Sequence, residues 1–136
     1  MGFNGQLLYC GGVPLPIEYI ANKSYKFIDG VQDLDSERTA DGKLYRNALE
    51  HRVLKVEITL IELTGDQFAN ANSILERSYI VPKERKLMLK AYNPFINDYV
   101  PFECYVQANL EGNIDHIDKH TNTIYMQSQE LHFIGY

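Results

Sequence analysis

The chain has 136 residues, of which 45% are hydrophobic and 23% are charged, and its net charge at pH 7 is −5. These values are typical of one soluble globular domain, which we expect to span residues 1–136. The acidic balance argues against a general nucleic-acid-binding protein, because such proteins usually present a basic face. No apolar run approaches the ~20 residues that span a bilayer, and the first six residues lack the pattern of a signal peptide, so we expect no membrane association.

The first third of the chain has the pattern of short β-strands. The apolar segments Gly5–Cys10 and Leu15–Ile20 flank a loop with two adjacent glycines, which predicts a hairpin. The segment Ser24–Ile28 predicts a further strand, with Tyr25 and Phe27 on one face because side chains alternate along a strand.

Residues 32–49 predict a long, highly charged β-hairpin. Asp41-Gly42 suits its turn, because both residues tolerate the positive φ of a type I′ turn. A hairpin this polar is marginal alone in water, so we expect it to lie against a neighbouring copy of the same protein. The alternative is a solvated loop. The side chains expected at this subunit interface are Asp33, Asp35, Glu37, Arg38, Lys43, Tyr45 and Arg46.

The middle of the chain predicts one strand and then a helix. Leu54–Leu63 alternates apolar and polar residues, so one face is expected to be buried. Thr64 and Gln67 have the spacing of a capping box, which predicts a helix over about 65–79 that ends before Pro82. Its apolar stripe is expected to pack against the sheet and consists of Phe68, Ala71, Leu75 and Tyr79, with Ile74 beside them.

The last third predicts four more strands. Pro101 places one end of the second of these at a sheet edge or a bulge, because proline cannot donate to a ladder. In the last strand the apolar positions change parity, which predicts a β-bulge near Ser128. Many antiparallel strands with one helix and no βαβ alternation predict a mainly β fold, a sandwich or a barrel. The four strands are Arg85–Tyr92, Tyr99–Leu110, Ile114–Ile117 and Thr123–Phe133.

No motif predicts a catalytic site, a metal site or a bound cofactor. The run that begins at Asp33 resembles the start of a calcium loop, but Arg38 and Leu44 occupy the positions that need Gly and Glu. His116 and His120 are spaced like metal ligands and have Asp115 and Asp118 beside them, yet the spacing fixes no third strong ligand. We interpret these as solvated turn residues, and the chain as a protein without enzymatic activity.

The two cysteines are far apart in the sequence and form no CxxC motif. Cys104 falls on the apolar side of an alternating strand, so we expect it to be a buried small hydrophobic residue. A disulfide with Cys10 has no support in the pattern.

Three stretches of the chain resemble a family of small prophage proteins from bacteriophages of Gram-positive bacteria. They are MGFNGQLL at residues 1–8, QDLDS and DGKLYRN within residues 32–47, and NTIYM and FIGY within residues 122–136. The order of elements is also similar to the tail-tube fold of tail-tube proteins and of the N-terminal domains of distal tail proteins. That fold is a β-sandwich or barrel with an early charged hairpin and one flanking helix.

This resemblance implies a structural role in the phage virion. Tail-tube-like proteins assemble as rings, usually hexameric, around a channel, so the implied partners are copies of the chain and neighbouring tail proteins. DNA would be only a passing cargo, and the protein would reside in the virion tail and, during assembly, in the host cytoplasm. The leading prediction is a ring-forming distal-tail or tail-tip component, hub-like within a baseplate, that joins the tail tube to the tip.

Two alternatives remain open at the level of sequence. Within the structural class, the chain would be the repeating tail-tube subunit or a tail-completion protein. From another class, it would be a small carbohydrate-binding β-barrel, because ten tyrosines provide rings on which sugars stack.

Overall fold

A computed structural model describes residues 2–31 and 52–136, and it places nine strands, one α-helix and two short 3₁₀ helices there. The predicted mainly β class with one helix is confirmed. The helix, α1, spans Gly65–Ser78, and the 3₁₀ helices span Ile17–Tyr19 and Pro82–Glu84. The strands are β1 Leu8–Cys10, β2 Val13–Leu15, β3 Lys26–Val31, β4 Arg52–Leu60, β5 Lys86–Asn93, β6 Asp98–Val106, β7 Ile114–Asp118, β8 Thr123–Met126 and β9 Gln129–Gly135.

The strands form two antiparallel sheets. The larger sheet has the order β2-β1-β5-β6-β9-β4-β3, and the smaller one pairs β7 with β8. No helix among the described residues has the length and apolar character needed to cross a membrane.

The larger sheet is strongly curled. Leu15 ends β2 at one side of the sheet, whereas Ile20 pairs with Leu60 of β4 on the side where β3 lies. In a flat sheet the two positions would be separated by six inter-strand spacings, or about 29 Å. The five Cα-to-Cα steps from Leu15 to Ile20 reach at most about 18 Å, so the sheet has to bend towards itself.

Contacts across the concave side confirm this curvature. The hydroxyl of Tyr25, just before β3, donates to the carbonyl oxygen of Tyr92 in β5 at 2.5 Å. The rings of Phe27 in β3 and Phe102 in β6 meet edge to face, 6.5 Å apart. Strands that are not neighbours in the ladder therefore share one core.

The core lies on the concave side of the sheet and is closed by α1. Alternate residues of the long strands are buried, as predicted for Val56, Ile58 and Leu60 of β4. From the helix, Ala71 and Leu75 are buried. The flanking members of the predicted stripe are partly buried against the same core: Phe68 and Tyr79.

The start of α1 is fixed by the predicted capping box. The Thr64 hydroxyl accepts a hydrogen bond from the Gln67 backbone N–H at 3.3 Å, and the Gln67 side chain accepts one from the Thr64 N–H at 3.1 Å. Two backbone donors that the helix leaves unpaired are thereby satisfied.

The N-terminal hairpin is partly as predicted. Gly11 and Gly12 form its turn with φ of +59° and +88°, values that favour glycine. The prediction that Leu15–Ile20 is a strand is wrong beyond Leu15. Pro16 is the N-cap of a 3₁₀ helix, since its fixed φ suits a helix start and it has no N–H to offer a ladder.

Two strand predictions in the last third need correction. The strand predicted over Tyr99–Leu110 ends at Val106. The segment Thr123–Phe133 is two strands in different sheets, so the parity change near Ser128 reflects a break and not a bulge. A register shift occurs instead in β7, between Ile114 and His116.

The interpretation of Pro101 is confirmed. It pairs with Lys90 of β5, whereas β9 reaches only the Cys104–Val106 end of β6. No strand of the described chain therefore pairs with Pro101 on its other side, and the N–H that proline lacks breaks no pairing there.

The predicted charged hairpin, residues 32–49, lies outside the described residues. The strands on either side of it are β3 and β4, and their closing pair is Val31 with Arg52. The connection therefore begins and ends at opposed positions of one antiparallel pair.

Gly135 lies where two strands approach too closely for a side chain. A Cβ there would be 2.7 Å from the carbonyl oxygen of Leu54. We expect Gly135→Ala to lower the free energy of unfolding by about 1–3 kcal/mol, measured by urea denaturation. Gly112→Ala, which meets no atom within 4 Å, should change it by less than about 0.5 kcal/mol. Equal effects would contradict the proposed clash.

Both thiols are free and buried, as expected for Cys104. Burial raises the pKa of Cys10 and of Cys104 to about 12, so at pH 8 roughly one thiol in ten thousand is the reactive thiolate. We expect a disulfide reagent such as DTNB to label neither cysteine in the native protein and both in urea. Rapid native labelling would contradict the burial of Cys10 in β1 and of Cys104 in β6.

Candidate functional site

Four aromatic rings form a continuous surface on the convex side of β1, β5 and β6. Tyr9 is the cross-strand neighbour of Lys90, and Tyr92 is opposite Tyr99. The rings meet edge to face, with centroids 5.6 Å apart for Tyr92 and Tyr99, 6.0 Å for Tyr9 and Tyr99, and 5.7 Å for Phe3 and Tyr92. The Lys90 ammonium lies 5.3 Å and 5.7 Å from the ring centroids of Tyr9 and Tyr99. We call this set the aromatic surface.

The hydroxyl groups of the aromatic surface hold the N-terminal segment in place. The Tyr99 hydroxyl lies 2.6 Å from both Asn4 Oδ1 and the Gln6 carbonyl oxygen, and it accepts from the Asn4 N–H at 3.0 Å. Asn4 Nδ2 donates to the Tyr9 hydroxyl at 3.0 Å. The visible role of these hydroxyls is therefore structural, and the exposed part of the rings is what remains available to a ligand.

The two-stranded sheet β7–β8, which we call the ribbon, has one apolar and one polar face. Ile117 is directly opposite Ile124, and Ile114 is opposite Met126. Since opposed residues share a face, these four side chains lie together. Met126 is buried against the body of the protein, whereas Ile114 and Ile117 are 49% and 50% exposed. The apolar face therefore continues beyond the core that it covers.

The polar face of the ribbon carries a small acidic cluster. The ring of His116 stacks on that of Tyr125, with centroids 4.6 Å apart, and its Nδ1 lies 2.7 Å from Asp115 Oδ2. This hydrogen bond holds the pKa of Asp115 below its ordinary value. Glu62, from the segment after β4, joins the two, and the ligand atoms of the three side chains lie within 4.8 Å of one another.

This cluster differs from the one that the sequence pattern suggested. Glu62 belongs to it and His120 does not; the backbone of His120 instead donates to Asp118 in the turn. Three ligand atoms this close are able to share a cation, but all three residues are exposed and Asp115 is already paired with His116. Glu62 was missed because it comes from a distant part of the sequence and meets β7 only through the fold.

A cleft of about 290 Å³ separates α1 from the β1–β2 hairpin. Its helix wall carries Asn70, Ser73 and Arg77, and its strand wall carries Val13 and two prolines, Pro14 and Pro16. This volume is at the small end for ligand pockets, so the cleft is suited to side chains of a partner more than to an enclosed small molecule.

The site residues predicted from the sequence divide into two groups. The helix residues Phe68, Ala71, Leu75 and Tyr79 face the core, as predicted. The hairpin residues predicted to contact a neighbouring subunit lie outside the described residues and stay a prediction: Asp33, Asp35, Glu37, Arg38, Lys43, Tyr45 and Arg46.

A family model matches the whole chain, residues 1–136. The protein belongs to the family of unknown function DUF6711. Neither the search of curated proteins nor that of solved structures gives a significant match to this DUF6711 chain. The family assignment therefore covers every element described above and carries no activity with it.

We expect Tyr99→Phe to loosen the N-terminal segment of the DUF6711 protein, because the variant removes the hydroxyl that Asn4 and Gln6 share. The variant should lose about 1 kcal/mol of free energy of unfolding. Amide exchange in a peptide covering residues 1–8 should become faster, as measured by mass spectrometry. Tyr105→Phe is the control, since that hydroxyl has no hydrogen-bond partner among the described residues. Unchanged exchange in Tyr99→Phe would contradict the assigned role.

Proposed function

We propose that this DUF6711 protein is a non-enzymatic structural component of a bacteriophage tail, a ring-forming distal-tail or tail-tip subunit that connects the tail tube to the tip. The observation that carries the proposal is the ribbon, whose outer strand extends an apolar face beyond the core of its own chain. The sequence resemblance to small prophage proteins supplies the biological setting, and the mainly β fold with one helix is compatible with it.

The ribbon is an element that gains from a neighbour. A two-stranded hairpin is at best marginally stable in water, and this one has large apolar side chains exposed on its outer strand, Ile114 and Ile117. Contiguous apolar surface of this kind marks interaction sites in soluble proteins. A second copy covering that face would stabilise both the ribbon and the assembly.

The sheet is also compatible with a ring. We infer a barrel-like, tail-tube-like form from the curl of the larger sheet, whose end strands are β2 and β3. Free edges tend to pair with other chains, and a closed ring of subunits is one way to cover them.

The predicted hairpin would add a second contact. Its ends are the paired residues Val31 and Arg52, so it leaves the sheet at the edge strand β3. Arg38, Lys43 and Arg46 would meet carboxylates of the neighbouring subunit or ring. Such pairs fix orientation and exclude wrong partners more than they add affinity.

The partners in this proposal are other copies of the chain, in a hexameric ring by analogy with tail-tube proteins, and adjoining tail proteins. DNA would pass through the channel without being bound, which an acidic protein favours because basic walls would retain phosphate. The place of action would be the virion tail, after assembly in the host cytoplasm. Many stacked rings per particle, instead of one, would indicate the tail-tube subunit; a copy count in purified virions separates the two.

The aromatic surface favours one candidate from another class, a carbohydrate-binding module. Exposed parts of Phe3, Tyr9 and Tyr99, with the amide of Asn4 beside them, offer stacking and hydrogen bonding of the kind that sugars use. A strictly monomeric protein that binds in a glycan-array screen would favour this function over the ring.

The proposed function predicts concentration-dependent self-association. Light scattering of the purified protein over a concentration series should give a ring-sized mass, and deletion of residues 35–45 should leave a folded monomer. A control that keeps the length but replaces Lys43 and Arg46 by serine should assemble more weakly than wild type and more strongly than the deletion. A wild-type protein that stays monomeric at every concentration would contradict the proposal. Normal rings from the deletion variant would contradict the hairpin's part in it.

A further inference from the structure

We propose that the ribbon of one copy docks in the cleft between α1 and the β1–β2 hairpin of a second copy. The inference rests on the self-assembly proposed above and names the two surfaces that meet. The cleft carries the cation Arg77, which has no partner among the described residues, and the polar face of the ribbon carries the carboxylate of Asp115.

The cleft offers a cation with no partner. Arg77 lines its helix wall, and its guanidinium makes no hydrogen bond or ion pair among the described residues. A guanidinium has five N–H donors in a planar fork that matches a carboxylate, so an acidic side chain is the complementary group. Ser73, on the same wall, likewise has a hydroxyl without a partner in the described part of the chain.

The opposite wall of the cleft is apolar. Val13 is 48% exposed there and lies beside Pro14 and Pro16. Pro14 is the central residue of the edge strand β2 and has no N–H, so this edge cannot offer a full ladder to another strand. The cleft is therefore suited to an element that inserts side chains, not to one that extends the sheet.

The ribbon has the two matching faces. Asp115 lies on its polar face, where its carboxylate is hydrogen-bonded to His116 and its side chain is 38% exposed, while Ile117 lies on its apolar face and is 50% exposed. With Asp115 directed to Arg77, the isoleucine face is directed to Val13 and the prolines. An amphipathic element of two strands thus meets a cleft with one polar and one apolar wall.

The two surfaces belong to different ends of the same helix. Ile124 of the ribbon lies 4.0 Å from the Cβ position of Gly65, the first residue of α1, whereas the cleft is lined by Asn70 to Arg77 further along. A copy therefore presents the ribbon at one place and the cleft at another. Such head-to-tail contacts generate rings when the rotation between copies closes.

The test is a charge exchange read by light scattering on the full-length protein. Arg77→Glu and Asp115→Arg, each alone, should raise the concentration needed for assembly by at least about tenfold, because like charges would face each other. The double variant should assemble at close to the wild-type concentration. Lys83→Glu and Glu18→Arg, exposed changes outside both surfaces, are the matched controls and should leave assembly unchanged.

Mixing gives the decisive result. An equimolar mixture of the two single variants should assemble at close to the wild-type concentration, since each ribbon then meets a cleft of opposite charge on the other variant, although each variant alone needs a concentration at least about tenfold higher. Circular dichroism of each variant establishes that it is folded. Assembly of either single variant at the wild-type concentration overturns this contact while the ring function stands. Failure of the mixture and of the double variant also overturns it, and a wild-type protein that never assembles overturns both.

Discussion

The short link from Leu15 to Ile20 is the constraint on which this fold depends. It joins one side of a seven-stranded sheet to the other over a distance that a flat sheet would not allow. Because the sheet must curl, its concave side faces a single core, and strands as distant in the ladder as β3 and β6 contribute to that core. The 3₁₀ turn after Pro16 shortens the link further, so a local effect of proline contributes to the global curvature.

The same curvature determines what remains outside. The convex side carries the aromatic surface, whose hydroxyls fix the N-terminal segment, and α1 closes the open side of the core. The ribbon contacts the rest of the protein through β8, where Met126 is buried and Tyr125 bridges to Thr64, and no other element of the described part of the chain covers its outer strand. The exposed isoleucines are thus a consequence of the chain leaving the main sheet between β6 and β9, not of a weakly hydrophobic core.

Much of the fold follows from local patterns in the sequence. Thr64 and Gln67 predict the start of α1 because a capping box depends only on residues three apart. The alternation of Val56, Ile58 and Leu60 predicts a strand with one buried face, and this too is local. The prediction of a single bulged strand near Ser128 failed because pairing with distant strands decides which sheet each segment joins. The parity change after Met126 was visible, but only the sheet to which each half belongs distinguishes a break from a bulge.

The candidate surfaces were less predictable, for the same reason. Ile114 and Ile117 are ordinary strand residues in sequence, and their exposure arises because no element among residues 2–31 and 52–136 covers them. Arg77 reads as a solvated helix residue, and the cleft in which it lies exists only because the β1–β2 hairpin packs beside α1. Glu62 joins Asp115 and His116 from another element. The spacing of His116 and His120 did suggest a cluster, but His120 lies in the turn after β7 and is not part of it.

The size of the exposed apolar face limits how strongly it can drive assembly. Complete burial of an isoleucine is worth about 1.5–3 kcal/mol, and Ile114, Ile117 and Ile124 are already about half buried, so covering them contributes only about 3 kcal/mol. Association costs an estimated 4–15 kcal/mol in lost freedom of motion. The ribbon contact alone is therefore too weak for a stable pair of copies. In the proposed ring each copy would make this contact twice, once through its ribbon and once through its cleft, so the last subunit to join would gain two interfaces for one loss of freedom.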